Sequence, residues 1–185
     1  MSANVTATGS SNFDSVANAW LVNGAGVMGT STSYNHYFKY MPLTGDFTIT
    51  ARMTAQGGNH ANARAGLLAA EPITGSHKFA WAARYSSNGE IRAATNGNNG
   101  SAISGFTSTT TNNLPVWVRL TRVGDKVTAE ASNDGITFVN RNTQTMTTTE
   151  ATLFVGFAVS SNSNTVAVQT TFDNLQIVGG GITVP

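Results

Sequence analysis

The chain has 185 residues, a formal net charge of +1 and no cysteine, with 10% charged residues against 40% hydrophobic. That balance gives no electrostatic basis for binding nucleic acid or an anionic membrane surface. The lack of cysteine removes disulfides, thiolate metal sites and cysteine nucleophiles together. Ser, Thr, Asn and Gly supply the polarity, and they suit turns and solvent-facing strand positions. No apolar run approaches membrane-spanning length, and Met1-Ser2-Ala3-Asn4 carries neither the basic nor the apolar part of a signal peptide.

Period-2 alternation and turn chemistry predict strands from Val5 to Gly9, Trp20 to Val22, Tyr34 to Met41, Phe47 to Ala55, Ala65 to Ala70 and His77 to Ser86. Further strands are read from Ile91 to Asn96, Val116 to Val123, Lys126 to Ser132, Thr137 to Asn142, Leu153 to Ser160 and Val166 to Val178. Thr44-Gly45-Asp46 introduces the clearest of them. It places Phe47, Ile49, Ala51 and Met53 on one face and Thr48, Thr50 and Arg52 on the other. Longer polar loops are expected over Gln56–Asn62 and Asn96–Asn113. Asn88-Gly89 marks one hairpin and predicts Tyr85 opposite Arg92, Ala83 opposite Ala94 and Trp81 opposite Asn96. Gly124-Asp125 marks a second, pairing Arg122 with Val127, Leu120 with Ala129, Val118 with Ala131, Thr121 with Thr128, Arg119 with Glu130 and Trp117 with Ser132. One face of that hairpin is mostly apolar. The other carries Trp, Arg, Glu and hydroxyls.

A dozen short strands without a helix predict an all-β fold, a two-sheet antiparallel β-sandwich of jelly-roll type. Residues 1–178 form one module, and 179–185 read as a Gly-rich tail or the start of a linker.

Six segments in order carry a family resemblance: Gly45–Arg52, Ala65–Leu68, Trp117–Asp125, Ser132–Gly135, Val155–Val159 and Thr171–Leu175. Their order and spacing resemble the concanavalin A-like, laminin-G-like and DUF1349-type modules found beside catalytic domains in secreted bacterial polysaccharide-degrading enzymes. The resemblance implies a concanavalin-like jelly roll, a secreted protein, carbohydrate binding and a covalently linked catalytic domain. Relatives carry Arg-Asp where this chain has Ala70-Glu71, so part of a sheet face differs here.

Enzymatic chemistry finds little support. Glycosidases need two carboxylates about 5–10 Å apart on one bond. Glu71, Glu90, Glu130 and Glu150 have no acidic neighbour at strand spacing, and the Asp residues sit mostly in turns, where they cap backbone. A lyase would draw its base from His36, His60 or His77, but no orienting acid lies beside any of them.

Sugar-binding surfaces combine aromatic planes, which stack on the C–H faces of pyranose rings, with fixed donors. The first hairpin offers Trp81, Tyr85, Arg92 and Asn96 on one face. The second offers Trp117, Arg119 and Glu130, and Arg52 lies on the polar face of its own strand. The expectation is a groove formed by both hairpins and the Gln56–Asn62 loop, binding a plant, algal or microbial wall polysaccharide. Trp81 serves equally as part of a core stripe with Phe79 and Tyr85, and Arg119–Glu130 as a plain cross-strand ion pair. Related sandwiches often hold one structural calcium ion, and Asp14 and Asp173 are the candidates here. The preferred reading is a non-catalytic carbohydrate-binding module. The alternatives are a structural or adhesive spacer and a small polysaccharide lyase.

Overall fold

Alternating apolar and polar residues build two antiparallel sheets that meet on their apolar sides. The computed structural model describes residues 8–28, 35–58, 60–72, 78–96, 104–107, 112–148 and 150–181. Its strands are β1 (Gly9–Asp14), β2 (Ala19–Gly26), β3 (Tyr37–Thr44), β4 (Phe47–Gln56), β5 (Arg64–Ala70), β6 (Phe79–Tyr85) and β7 (Ile91–Asn96). They continue as β8 (Ser104–Thr107), β9 (Val116–Val123), β10 (Lys126–Ser132), β11 (Val139–Thr145), β12 (Thr152–Ser160) and β13 (Ser163–Gly179). One sheet runs β1-β2-β13-β4-β9-β10-β11 and the other β3-β12-β5-β6-β7-β8. The chain is a two-sheet antiparallel β-sandwich, as its alternation predicts.

In β4, Phe47, Ile49, Ala51 and Met53 are buried while Thr48, Thr50, Arg52 and Thr54 are half-buried on the outer face. These residues join Val118, Leu120 and Phe172 of the same sheet against Leu67, Val155 and Phe157 of the other. Removing each such side chain from water contributes about 1.5–3 kcal/mol, so this inter-sheet layer dominates the fold energy.

The six-stranded sheet is different, because β5 is buried on both faces. Its side away from the main core carries a second apolar cluster of Met28, Phe38, Leu68, Ala70, Phe79, Trp81, Ala83 and Ala158. A strand buried on both faces loses the alternation that marks a solvent-facing strand. Gly66 sits within this sheet, where a Cβ would stand 1.8 Å from the Ala82 carbonyl oxygen. Only the bare backbone fits there.

The β9–β10 hairpin has the predicted register, from Val123 opposite Lys126 to Trp117 opposite Ser132. The β6–β7 hairpin is shifted by two residues from its prediction: Ala83 faces Arg92, Trp81 faces Ala94 and Phe79 faces Asn96. Asn88-Gly89 is the end of a longer loop here, in which the Gly89 N–H donates to the Tyr85 carbonyl and the Tyr85 N–H to Glu90. A shift of two keeps each residue on its expected face.

Three further expectations differ. The strand β8 lies inside the stretch read as a loop, and a strand runs over 9–14, whereas most of the one read from Val5 lies outside the described residues. Gly180, read as linker, is tied to the β3–β4 turn by donating to the Asp46 carbonyl and accepting from the Thr44 N–H.

Candidate functional site

The two hairpins lie in different sheets, β6–β7 in the six-stranded one and β9–β10 in the seven-stranded one. Their polar panels point away from the shared core and therefore away from each other. The single groove expected from both does not form; the eight candidate residues divide into two groups.

The first group lies on the outer face of the six-stranded sheet. Trp81 and Tyr85 are 1% and 5% exposed, too buried to offer an open stacking platform. Tyr85 lies between strand ends that bring two guanidinium groups to its ring, Arg64 at 4.6 Å and Arg92 at 4.4 Å from the centroid. Arg64 Nη1 donates to the Tyr85 hydroxyl at 2.7 Å, its Nε donates to the Asn62 carbonyl, and its guanidinium lies 5.9 Å from the Trp81 ring. Arg92 Nε donates to Glu90 Oε2 at 2.8 Å. His36, itself buried, sits 6.2 Å from Trp81 between ring centroids. Asn96 closes β7 on this face, and its side chain is outside the described residues.

Two features of this group stand out electrostatically. Arg64 is 5% exposed, and among the described residues no carboxylate stands within ion-pair distance of it. Burial, with Arg92 nearby, holds its pKa below the usual arginine value despite the Tyr85 contact. The buried Trp81 Nε1–H has no hydrogen-bond partner. A buried donor left unpaired costs about 1–3 kcal/mol; the indole lacks an acceptor, and the guanidinium, though it donates to Tyr85 and Asn62, lacks a counter-charge.

The second group crosses the outer face of the seven-stranded sheet. Register aligns Arg52 with Trp117 and Thr50 with Arg119. Here the charges are neutralised. Arg52 makes a forked pair with Asp173, Nε to Oδ1 at 2.8 Å and Nη2 to Oδ2 at 2.6 Å. Arg119 does the same with Glu130 at 2.6 and 2.8 Å, beneath the Phe138 ring at 3.7 Å. Hydrogen bonding to Arg52 lowers the Asp173 pKa, and the same bond raises that of Arg52. Trp117 is half-buried beneath the loop between β10 and β11: a Cβ on Gly135 would lie 2.6 Å from its ring. This panel is charge-balanced and largely closed.

The residues named for calcium do not fit it as they stand. Asp173 is committed to Arg52, and Asp14 Oδ1 accepts the backbone N–H groups of Val16 and Ala17. Strand β2 separates the two, each lying opposite Ala19. Of the histidines, His60 is exposed and accepts the Asn62 N–H on Nδ1, while His77 lies outside the described residues.

Sequence reasoning missed Arg64, which stands one residue before the strand read from Ala65. Its signal was parity: Arg64 shares the face of Gly66, Leu68 and Ala70. A side cleft was missed as well. Phe13, Asn18, Trp20, Asp173, Asn174, Leu175 and Gln176 line a cavity of about 340 Å³, with Phe13 and Trp20 rings 5.3 Å apart.

No family model and no curated protein matches the chain. Solved structures show the fold. A functionally unknown protein from Saccharomyces cerevisiae superposes with a TM-score of 0.72 at 15% identity, over 94% of this chain and 96% of that one. A carbohydrate-binding module, CBM66, from Bacillus subtilis superposes with a TM-score of 0.51 at 14% identity, over 92% and 91%. The GH43 BlXynB protein from Bacillus licheniformis gives 0.60 at 9% identity, over 86% of this chain and 33% of that one. This chain thus spans about a third of that protein. These likenesses show the fold alone, a two-sheet β-sandwich.

Proposed function

We propose that this chain is a non-catalytic carbohydrate-binding module of the concanavalin A-like, DUF1349-type group. Its sugar site lies on the outer face of the six-stranded sheet, with Arg92 and Glu90 at the accessible edge. Arg64, Tyr85 and Trp81 form the floor. The observation carrying this reading is the buried Trp81 Nε1–H, which has no acceptor, beside the Arg64 guanidinium, which has no carboxylate partner among the described residues. A few fixed polar groups over an apolar floor are what orient a small-molecule ligand in its site. The fold shared with CBM66 supports the same reading.

The module would be secreted and covalently tethered to a polysaccharide-degrading catalytic domain, raising that domain's effective concentration at its substrate. The partial coverage of the GH43 protein supports such an arrangement. The Arg52, Trp117, Arg119 and Glu130 panel takes a secondary role in this reading, as a scaffold face whose ion pairs compete with any ligand. The spacer alternative draws support from the burial of Trp81 and Tyr85. Affinity electrophoresis on a panel of wall polysaccharides separates the two. Retardation that Arg92→Ala abolishes and Trp117→Ala preserves supports the module; free migration on every gel supports the spacer.

A further inference from the structure

The charges of the two sheet faces differ in a way that bears on the ligand. On the seven-stranded face each of Arg52 and Arg119 has its own carboxylate. On the six-stranded face Arg64 and Arg92 share the surroundings of Tyr85, and Glu90 is bound to Arg92. The chain has nine Asp and Glu residues. All of them lie among the described residues, so no undescribed side chain can supply the missing counter-charge.

A buried cation without a counter-ion is expensive to keep. Arg64 donates to the Tyr85 hydroxyl and the Asn62 carbonyl, both uncharged, and the strand's neighbouring outer-face positions are Gly66, Leu68 and Ala70, all apolar. The Trp81 indole N–H, buried and without an acceptor, stands in the same cluster. A neutral hydroxyl would satisfy the indole but leave the guanidinium uncompensated. An anionic group would serve both, and Arg92, paired with Glu90 but with a side chain 33% exposed, stands at the solvent edge of the same face.

We infer that the site takes an acidic glycan, one whose sugar carries a carboxylate or a sulfate ester that docks against Arg92, Arg64 and the Trp81 indole N–H. This rests on the carbohydrate-binding reading above and narrows it. The overall charge of +1 is too small to attract a polyanion to the whole surface, so the preference is local to this face.

Binding of the intact chain is measured by calorimetry with four probes: polygalacturonate, its fully methyl-esterified form, dextran sulfate and dextran. The expected result is binding to one or both acidic polymers with affinity at least about tenfold above the uncharged counterpart, as close charge pairs supply. The carboxylate and sulfate arms distinguish the two sources of charge. Arg92→Gln and Arg64→Gln each remove that preference, with folding checked by circular dichroism. Lys126→Gln, which deletes an exposed cation from the β9–β10 turn, retains it. Trp81 emission, isolated in a Trp20→Phe/Trp117→Phe background, shifts on adding the acidic polymer and not the neutral one. Equal affinity for charged and uncharged partners overturns the inference while sugar binding stands. Loss of preference in Lys126→Gln equal to that in Arg92→Gln overturns it as diffuse attraction. No binding to any of the four, alongside binding to another neutral polysaccharide, overturns it too; free migration on every polysaccharide removes the function itself.

Discussion

Replacing Trp81 by phenylalanine and, separately, by alanine distinguishes the packing of the indole from the cost of its N–H. The side chain is 1% exposed, among Phe38, Leu68, Phe79 and Ala83. Truncation to alanine opens a cavity and costs about 3–5 kcal/mol. For a chain of this length each kcal/mol lowers Tm by about 2–4 °C, so the midpoint falls by roughly 10 °C or more. Phenylalanine keeps one aromatic ring and loses the donor. The packing loss of about 1–2 kcal/mol is offset by relief of the unpaired N–H, which costs about 1–3 kcal/mol. The net change is within about 1 kcal/mol of zero. Thermal unfolding by circular dichroism reads both variants. If Trp81→Phe falls as far as Trp81→Ala, the indole N–H has a structural partner and the reasoning from its vacancy fails.

Gly66→Ala drives a methyl onto the Ala82 backbone and costs about 3 kcal/mol, seen as a lower urea midpoint with an unchanged slope. Asp134 accepts the Ile136 N–H, the Ser132 hydroxyl and the Thr137 N–H, which together hold its carboxyl at about 2. A folded-state pKa below the unfolded one stabilises above the unfolded value, so the loop's order is complete above pH 4 and is lost as pH falls toward 2. Amide exchange at Ile136 and Thr137 that stays constant over that window contradicts this. In a double-mutant cycle, Arg119→Ala with Glu130→Ala gives a coupling of about 1 kcal/mol or less, declining with added salt, because both side chains keep contact with solvent. A coupling of several kcal/mol would mean that the panel is far drier than its geometry shows.

How much could be read from residues alone depended on how local the determinant was. Gly124-Asp125 closes a tight two-residue turn, so counting outward from it places every pair of β9–β10 correctly. Asn88-Gly89 was misplaced by two because Ser86 and Ser87 join the loop, yet parity survived and Trp81, Tyr85 and Arg92 share a face as expected. Which sheet each hairpin joins was not legible. That depends on β5 pairing with β6 and β4 with β9, contacts between distant segments that period-2 alternation does not encode. The same gap hid the partners that neutralise the outer panel: Asp173 meets Arg52 only because β13 inserts beside β4. Trp81 was balanced between core and platform. It lies in neither the main core nor an open surface, since the six-stranded sheet carries apolar clusters on both sides.

The most direct test is a nitrogen–proton correlation spectrum of the labelled protein titrated with the polysaccharide that retards it most. The account predicts that the Trp81 indole N–H resonance and the amides around Arg64, Tyr85 and Arg92 move together and saturate at one affinity. Movement confined to the Trp117 indole and its neighbours on β9 and β10, with Trp81 silent, contradicts it.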